Sequence, residues 1–340
     1  MRERLIEYID GLFSGAALNM RNAEIKEEIL QNTLEHYDDL LSEGKSEQEA
    51  YDAVIQGIGD VRPLVEPEGS AVSAEAAPES QPSAPDTSLG AVDAQLPAAS
   101  AAAQIAVSDI RKIEVDWISG SVTVRRAEGD SIEFSEDYQG EEKYRLRYSV
   151  ENGTLHIQAC QSGTVLNIPK KALTLSLPDA LYQELKLSVG SAKLTVSDVR
   201  ADDLELDSIS GDIELARVEA SELKIDTTSG SVRGQSLTVS ELELDSVSGN
   251  AELEGAFDSV DANTASGSVT LTSSSLPREI DADTVSGDVT LTLPKDSAFR
   301  YEFDTISGRL KSSLPDAVSG SDATVEIDTT SGGLTLQPLD

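Results

Sequence analysis

The chain has 340 residues with 62 acidic against 26 basic side chains, a formal charge of −36. That balance excludes nucleic acid as a direct ligand, since phosphate backbones are bound through Lys and Arg. It also disfavours insertion into an anionic membrane and favours solubility and cationic partners.

Residues 1–62 read as a small three-helix domain. Leu5, Ile6, Ile9, Leu12 and Phe13 give a first amphipathic helix; Ile25, Ile29, Leu30, Leu34, Tyr37 and Leu41 give a second. Gly44 ends the second, and Ser46 with Glu49 makes a capping box for a third through Ala50, Tyr51, Ala53 and Val54. A domain this small has little room for a catalytic site, and His36 stands there without motif context. If the domain binds a partner, an exposed apolar patch should remain beside its core, with Ile6, Phe13, Leu30 and Leu40 as candidates. The start, MRERLIEYIDGLF, has charges inside its apolar stretch and no small-residue cleavage site, so it does not read as a secretory signal. A single cysteine, Cys160, cannot form an internal disulfide. The expected compartment is the cytoplasm, the alternative a cell surface reached by a non-classical route.

From residue 63 to 108 the chain is Ala, Ser and Pro with scattered acids. Such a stretch cannot bury enough apolar surface to fold alone, and reads as a disordered, flexible linker. Its most apolar part is broken by Asp93 and Pro97, so no membrane span is expected.

Residues 109–340 are β-patterned. The first part, 109–200, is irregular, with a hairpin signal at Glu151-Asn152-Gly153, and reads as wider capping coils in which Trp117 is a packing residue. From 201 to 340 one phrase recurs: DSISG, DTTSG, DSVSG, NTASG, DTVSG, DTISG and DTTSG. Its glycines are Gly211, Gly230, Gly249, Gly267, Gly287, Gly308 and Gly332, spaced 19, 19, 18, 20, 21 and 24 residues apart. A looser copy, DWISG, ends at Gly120. A period near 20 marks a solenoid, whose coils bury their apolar side only by stacking.

Strict alternation before each phrase (LELD, LKID, VDAN, IDAD, YEFD, VEID) and after it (DIEL, SVTL, DVTL) makes both sides of the corner β-strand. The fold class is therefore mainly β: a parallel β-solenoid of about 20-residue coils, seven of them making a rod of roughly 34 Å. Each coil is strand, Ser-Gly corner, strand, return turn, with glycine expected at the corner for its tolerance of φ > 0. The column Asp207, Asp226, Asp245, Asn263, Asp283, Asp304 and Asp328 is expected to cap the corners by accepting backbone N–H bonds, and the Ser/Thr hydroxyls that follow it can do the same. Outward positions on the first strands run from Glu205 and Asp207 to Glu326 and Asp328; twelve of fourteen are acids, the exceptions being Lys224 and Asn263. The resulting acidic stripe, Glu205, Glu243, Asp261, Asp281, Glu302 and Glu326, suits cationic peptides or a basic patch on a partner.

No catalytic residues, cofactor or metal are expected. His36 and His156 are the only histidines and neither has triad context. The glycine-rich nonapeptide of calcium-binding β-rolls is absent, as are phosphate loops, zinc spacings and dinucleotide fingerprints. A carbohydrate-active β-helix enzyme would need a cleft, and the corners are too short to build one.

The run EIKEEILQNTLEHYDDLLSEGKSEQEAYDAVIQGIGDV (24–61) resembles HAAS-type (DUF1700-like) N-terminal domains of bacterial signalling and membrane proteins. The repeats from IEVDWISGSVTV onward resemble the DUF4097 family, β-strand-repeat proteins often labelled adhesins. The resemblance implies a bacterial, non-enzymatic interaction or scaffold protein in envelope-stress or regulatory signalling. The helical domain would then engage a protein partner, such as a component of a PadR-like regulator system. The alternative is a surface adhesin or ligand-binding rod.

Overall fold

The computed structural model describes residues 103–106, 110–160, 168–295, 297–314 and 323–339, together with ten scattered positions between Arg4 and Ile55. The chain divides into two compact units, 1–93 with 162–167, and 94–161 with 168–340. In the first, Leu5, Tyr37 and Val54 are helical and form a buried cluster on which Tyr51 and Ile55 pack. The guanidinium of Arg4 lies 5.1 Å from the centre of the Tyr51 ring. The three-helix reading, and the candidates Ile6, Phe13, Leu30 and Leu40, otherwise lie outside the described residues.

Apart from a single 3-10 turn at Glu142–Tyr144, the described elements of the second unit are β-strands. Alternation puts Leu204 and Leu206, Leu223 and Ile225, Leu242 and Leu244, and Val325 and Ile327 inward, and all are buried. They form one continuous apolar core. The central strands are long: β9 (Lys193–Ser208), β10 (Ile213–Thr227), β11 (Val232–Ser246) and β12 (Ala251–Thr264). Each of β9, β10 and β11 bends midway at a non-glycine residue of positive φ: Asp198 at 57°, Arg217 at 54° and Ser236 at 56°. These three stack in register, and the Arg217 guanidinium donates to both carboxylate oxygens of Asp198, at 2.6 and 2.7 Å. One strand thereby serves two walls of the solenoid.

Stacking from coil to coil is parallel and in register, apart from one shift between Gly234 and Leu237 where β11 meets β12, but the coils do not follow chain order at either end. At the C-terminal end, β14 (Glu279–Thr284) and β15 (Val289–Pro294) pair with β18 (Thr324–Thr329) and β19 (Leu334–Leu339). The intervening strands β16 (Arg300–Thr305) and β17 (Leu310–Ser312) lie outside them. The last coil in sequence is thus the penultimate coil in space. Its slim Val325 and Ile327 fill a two-sided slot, while the aromatic Tyr301 and Phe303 cover the open end of the core. With only one stacking neighbour, that outer coil leaves Leu310 exposed, although alternation makes it an inward residue.

At the other end, β2 (Lys112–Trp117) sits between β6 (Thr154–Gln158) and β8 (Leu181–Val189), and β3 (Gly120–Arg126) sits between β7 (Lys171–Leu177) and β9. Here the edge is closed by antiparallel strands: β5 (Arg147–Glu151) on β6, β4 (Ser131–Glu136) on β7, and β1 (Ala103–Ala106) on β4. β1 falls inside the stretch that composition assigns to the linker; its backbone is recruited by pairing with β4, which propensity cannot reveal.

Candidate functional site

The corner explains why the phrase repeats. The hydroxyl after the Asp/Asn column turns inward and closes the turn: the glycine N–H donates to the Thr264, Thr284 and Thr329 hydroxyls at 3.0, 2.8 and 2.8 Å, and the Ser208 hydroxyl donates to the Gly211 carbonyl at 2.6 Å. The next serine reaches the neighbouring coil, as from Ser229 to the Ile209 carbonyl (3.2 Å) and from Ser248 to Thr228 (3.2 Å). Hydroxyls, not the Asp/Asn column, therefore hold these corners. None of the seven phrase glycines has positive φ either. They are glycines because a Cβ at each would run into the carbonyl oxygen of the residue stacked beside it. Gly120, at φ 106°, is the one corner that needs both properties.

With the corners held by hydroxyls, two acidic columns are left on the outer face. In stacking order the first reads Lys186, Glu205, Lys224, Glu243, Asp261, Asp281, Glu326 and Glu302. Lys186 meets Glu205 at 2.7 Å and Lys224 meets Glu243 at 2.8 Å, so one end of the stripe is neutralised. Beyond Glu243 the column is carboxylate only, and Asp261, Asp281, Glu326 and Glu302 are all exposed.

The second column follows the same gradient. Asp207 is 2% exposed, bonded by the Ser188 hydroxyl at 2.8 Å, and Asp226 is 8% exposed. Asp245 and Asn263 are half-buried; Asp283, Asp328 and Asp304 face water. The expectation that the whole column points into solvent thus fails for Asp207 and Asp226, which the Lys186 and Lys224 stems and adjacent coils cover.

Burial, reinforced by neighbouring carboxylates, pushes Asp226, Asp281, Asp261 and Asp283 upward. Asp226 is raised to about 6 by burial, reinforced by Asp207, Asp245 and Glu243 against the pull of Lys224. Asp281 is raised to about 6 by partial burial and then by Asp283, Asp261, Glu326 and Asp328. Asp261 and Asp283 shift the same way, burial first. The lysine-free end is thus a patch of crowded carboxylates that gains by acquiring positive charge. Among the described residues no group of His, Cys, Asp or Glu is arranged to hold a metal ion, and no helix is long and apolar enough to cross a membrane.

The DUF4097 Toastrack pattern matches residues 110–337, which takes in every coil just described. The chain belongs to the DUF4097 Toastrack family. Solved structures similar to it include a "putative lipid binding protein" from Parabacteroides distasonis, at 17% identity, TM-score 0.47, covering 68% of this chain and 95% of that one. A "putative adhesin" from Parabacteroides merdae matches at 14% identity and TM-score 0.37, covering 70% and 95%. Another from Bacteroides fragilis matches at 11% and 0.36, covering 70% and 96%. No curated protein matches the sequence.

The Toastrack domain also holds a polar group inside its cap that the sequence does not announce. Lys171 is buried against Glu136 at 2.6 Å, donates to the carbonyls of Tyr144 (2.6 Å) and Ala159, and lies 4.6 Å from the centre of the Trp117 ring. The Trp117 indole N–H donates to the Lys171 carbonyl at 3.1 Å. Burial pulls the Lys171 amine below its ordinary value. With every donor satisfied and no access to solvent, this cluster fastens the cap rather than serving chemistry.

Proposed function

We propose that this Toastrack chain is a non-enzymatic binding protein whose solenoid offers the lysine-free end of its acidic column to a cationic partner: a basic peptide segment or the basic patch of a protein. The observation that carries the reading is the split along one column: acids ion-paired to lysine up to Glu243, and from Asp261 to Glu302 adjacent acids with no ion pair among the described residues. If the stripe served solubility alone, the charge would not need to be concentrated at one end. The N-terminal region, by its resemblance to HAAS-type domains, engages a second protein, for which a component of a PadR-like regulator system is the first candidate. That part of the proposal rests on resemblance alone, as does a role in envelope or regulatory signalling. The cytoplasm is the proposed setting, which a chain with a single cysteine permits because its fold needs no internal disulfide.

The test is titration of the full chain with a fluorescent polylysine peptide at low and at physiological salt. Binding should be evident at low salt and weaken steeply as the Debye length shrinks to about 8 Å. No binding at low salt would end the proposal.

A further inference from the structure

A second feature lies on the opposite side of the corner at the C-terminal end, and it has the other sign of charge. The position just after each phrase glycine carries a side chain in most coils: Asp212, Ser231, Asn250, Ser268, Asp288 and Arg309. In the inserted coil it is Gly333, in the doubled glycine SGG. That coil stacks between those of Asp288 and Arg309, so the missing side chain leaves a notch between an acid and a base. The notch has a volume of about 330 Å³ and is lined also by Thr290, Thr335 and Lys311. That lies at the small end of the range for small-molecule pockets, about 300–1,000 Å³.

Arg309, immediately before β17, and Lys311, on β17, lie two residues apart; both are exposed, and neither is ion-paired among the described residues. Asp288 is held in place by the Gly333 N–H, which donates to its Oδ1 at 2.7 Å and leaves the other oxygen open. The two ends of the notch are two coil steps apart, about 10 Å. A guanidinium fork with a nearby ammonium matches a carboxylate. The row of hydroxyls and the carboxylate of Asp288 match a ligand rich in O–H groups. Asp288, with the chain's net charge of −36, repels dense polyanions.

We propose that this notch binds a sugar acid: one carboxylate on Arg309 and Lys311, ring hydroxyls on Thr290, Thr335 and Asp288. The ligand can be a free monomer or a uronate unit of a polysaccharide. This site is separate from the acidic columns, so either proposal can fail without the other.

The experiment is calorimetric titration of the full chain with galacturonate and with its trimer, using galactose and inorganic phosphate as controls. Galacturonate or its trimer should bind with a Kd below about 10 mM, and both controls should bind more weakly. Binding of the monomer points to a free sugar acid; binding of the trimer alone points to a polysaccharide. Arg309→Gln with Lys311→Gln should weaken binding about tenfold or more, as expected for loss of charge-assisted hydrogen bonds. Gly333→Ser, which restores the side chain other coils carry, should do the same by filling the notch. Its Cβ would come within 3.1 Å of the Arg309 carbonyl oxygen, so its fold is checked by circular dichroism and the double variant stands in if it unfolds. Failure of both uronates to bind, equal binding of a control, or indifference to the Arg309 and Lys311 replacements would overturn the proposal.

Discussion

Replacing Asp226 by Asn should stabilise the solenoid, and the gain should depend on pH. Asp226 is 8% exposed, and its carboxyl is pushed from 3.8 to about 6, first by burial. Because the folded-state value is raised, the folded chain holds the proton between these two values while the unfolded chain has lost it. Stability therefore falls as pH rises through that window, and above it the cost of holding the ionised carboxylate is fully present. Two pH units correspond to about 3 kcal/mol; allowing for the screening by Lys224, a gain of about 1–3 kcal/mol at pH 7 is expected for D226N. Asn fits this column, since Asn263 occupies it two coils further on. At about 2–4 °C per kcal/mol for a domain of this size, thermal denaturation followed by circular dichroism should resolve the change at pH 7. The gain should shrink below about 1 kcal/mol near pH 4. A D226N chain that is less stable at pH 7, or whose gain is the same at both pH values, would refute the reasoning.

Other consequences follow from the same geometry. Gly249→Ala should cost several kcal/mol, on the order of 3 or more, because its Cβ meets the Gly230 carbonyl oxygen, whereas Gly129→Ala, with open space around it, should be neutral in the same melt. Glu136→Gln should cost about 3–5 kcal/mol by stranding buried Lys171, and Lys171→Met with Glu136→Leu should recover most of that; equal losses would show the pair is not coupled. Binding of a polylysine peptide near pH 6 should release protons, since positive charge beside Asp281 lowers a value now raised to about 6. Calorimetry in buffers of different ionisation enthalpy reads the number, and proton uptake would contradict the placement of the peptide.

Strand positions and their inward faces were legible because period-two alternation is strict and one side is always core, as at Leu204, Leu206, Leu223 and Ile225. The coil order was not. DTISG and DTTSG make identical corners, so nothing local says which of the last two coils stacks on DTVSG. The only trace is the wider glycine spacing, 21 and then 24 residues, that the crossing connections need. Sequence pattern suggests a conformational reason for the glycines, whereas the structural one is close approach between coils, a property of stacking that no single coil contains. The acidic stripe was legible as a list of charges; its split was not, because Lys186 belongs to the irregular region and joins the column only through the register of β8 with β9. The notch at Gly333 did have a signal, the doubled glycine, whose meaning depends on the out-of-order coil that places Arg309 beside it.

The most direct measurement places the cationic partner along the column using two variants of equal charge change. Asp281→Asn with Glu326→Gln alters neighbours in the lysine-free end, and Glu205→Gln with Glu243→Gln alters acids already paired to Lys186 and Lys224. Titrated with the same polylysine peptide at one low salt concentration, the first variant should bind markedly more weakly than the native chain. The second should bind nearly as well as the native chain. Equal losses in the two would mean that net charge alone attracts the peptide, and would contradict a binding site at the lysine-free end.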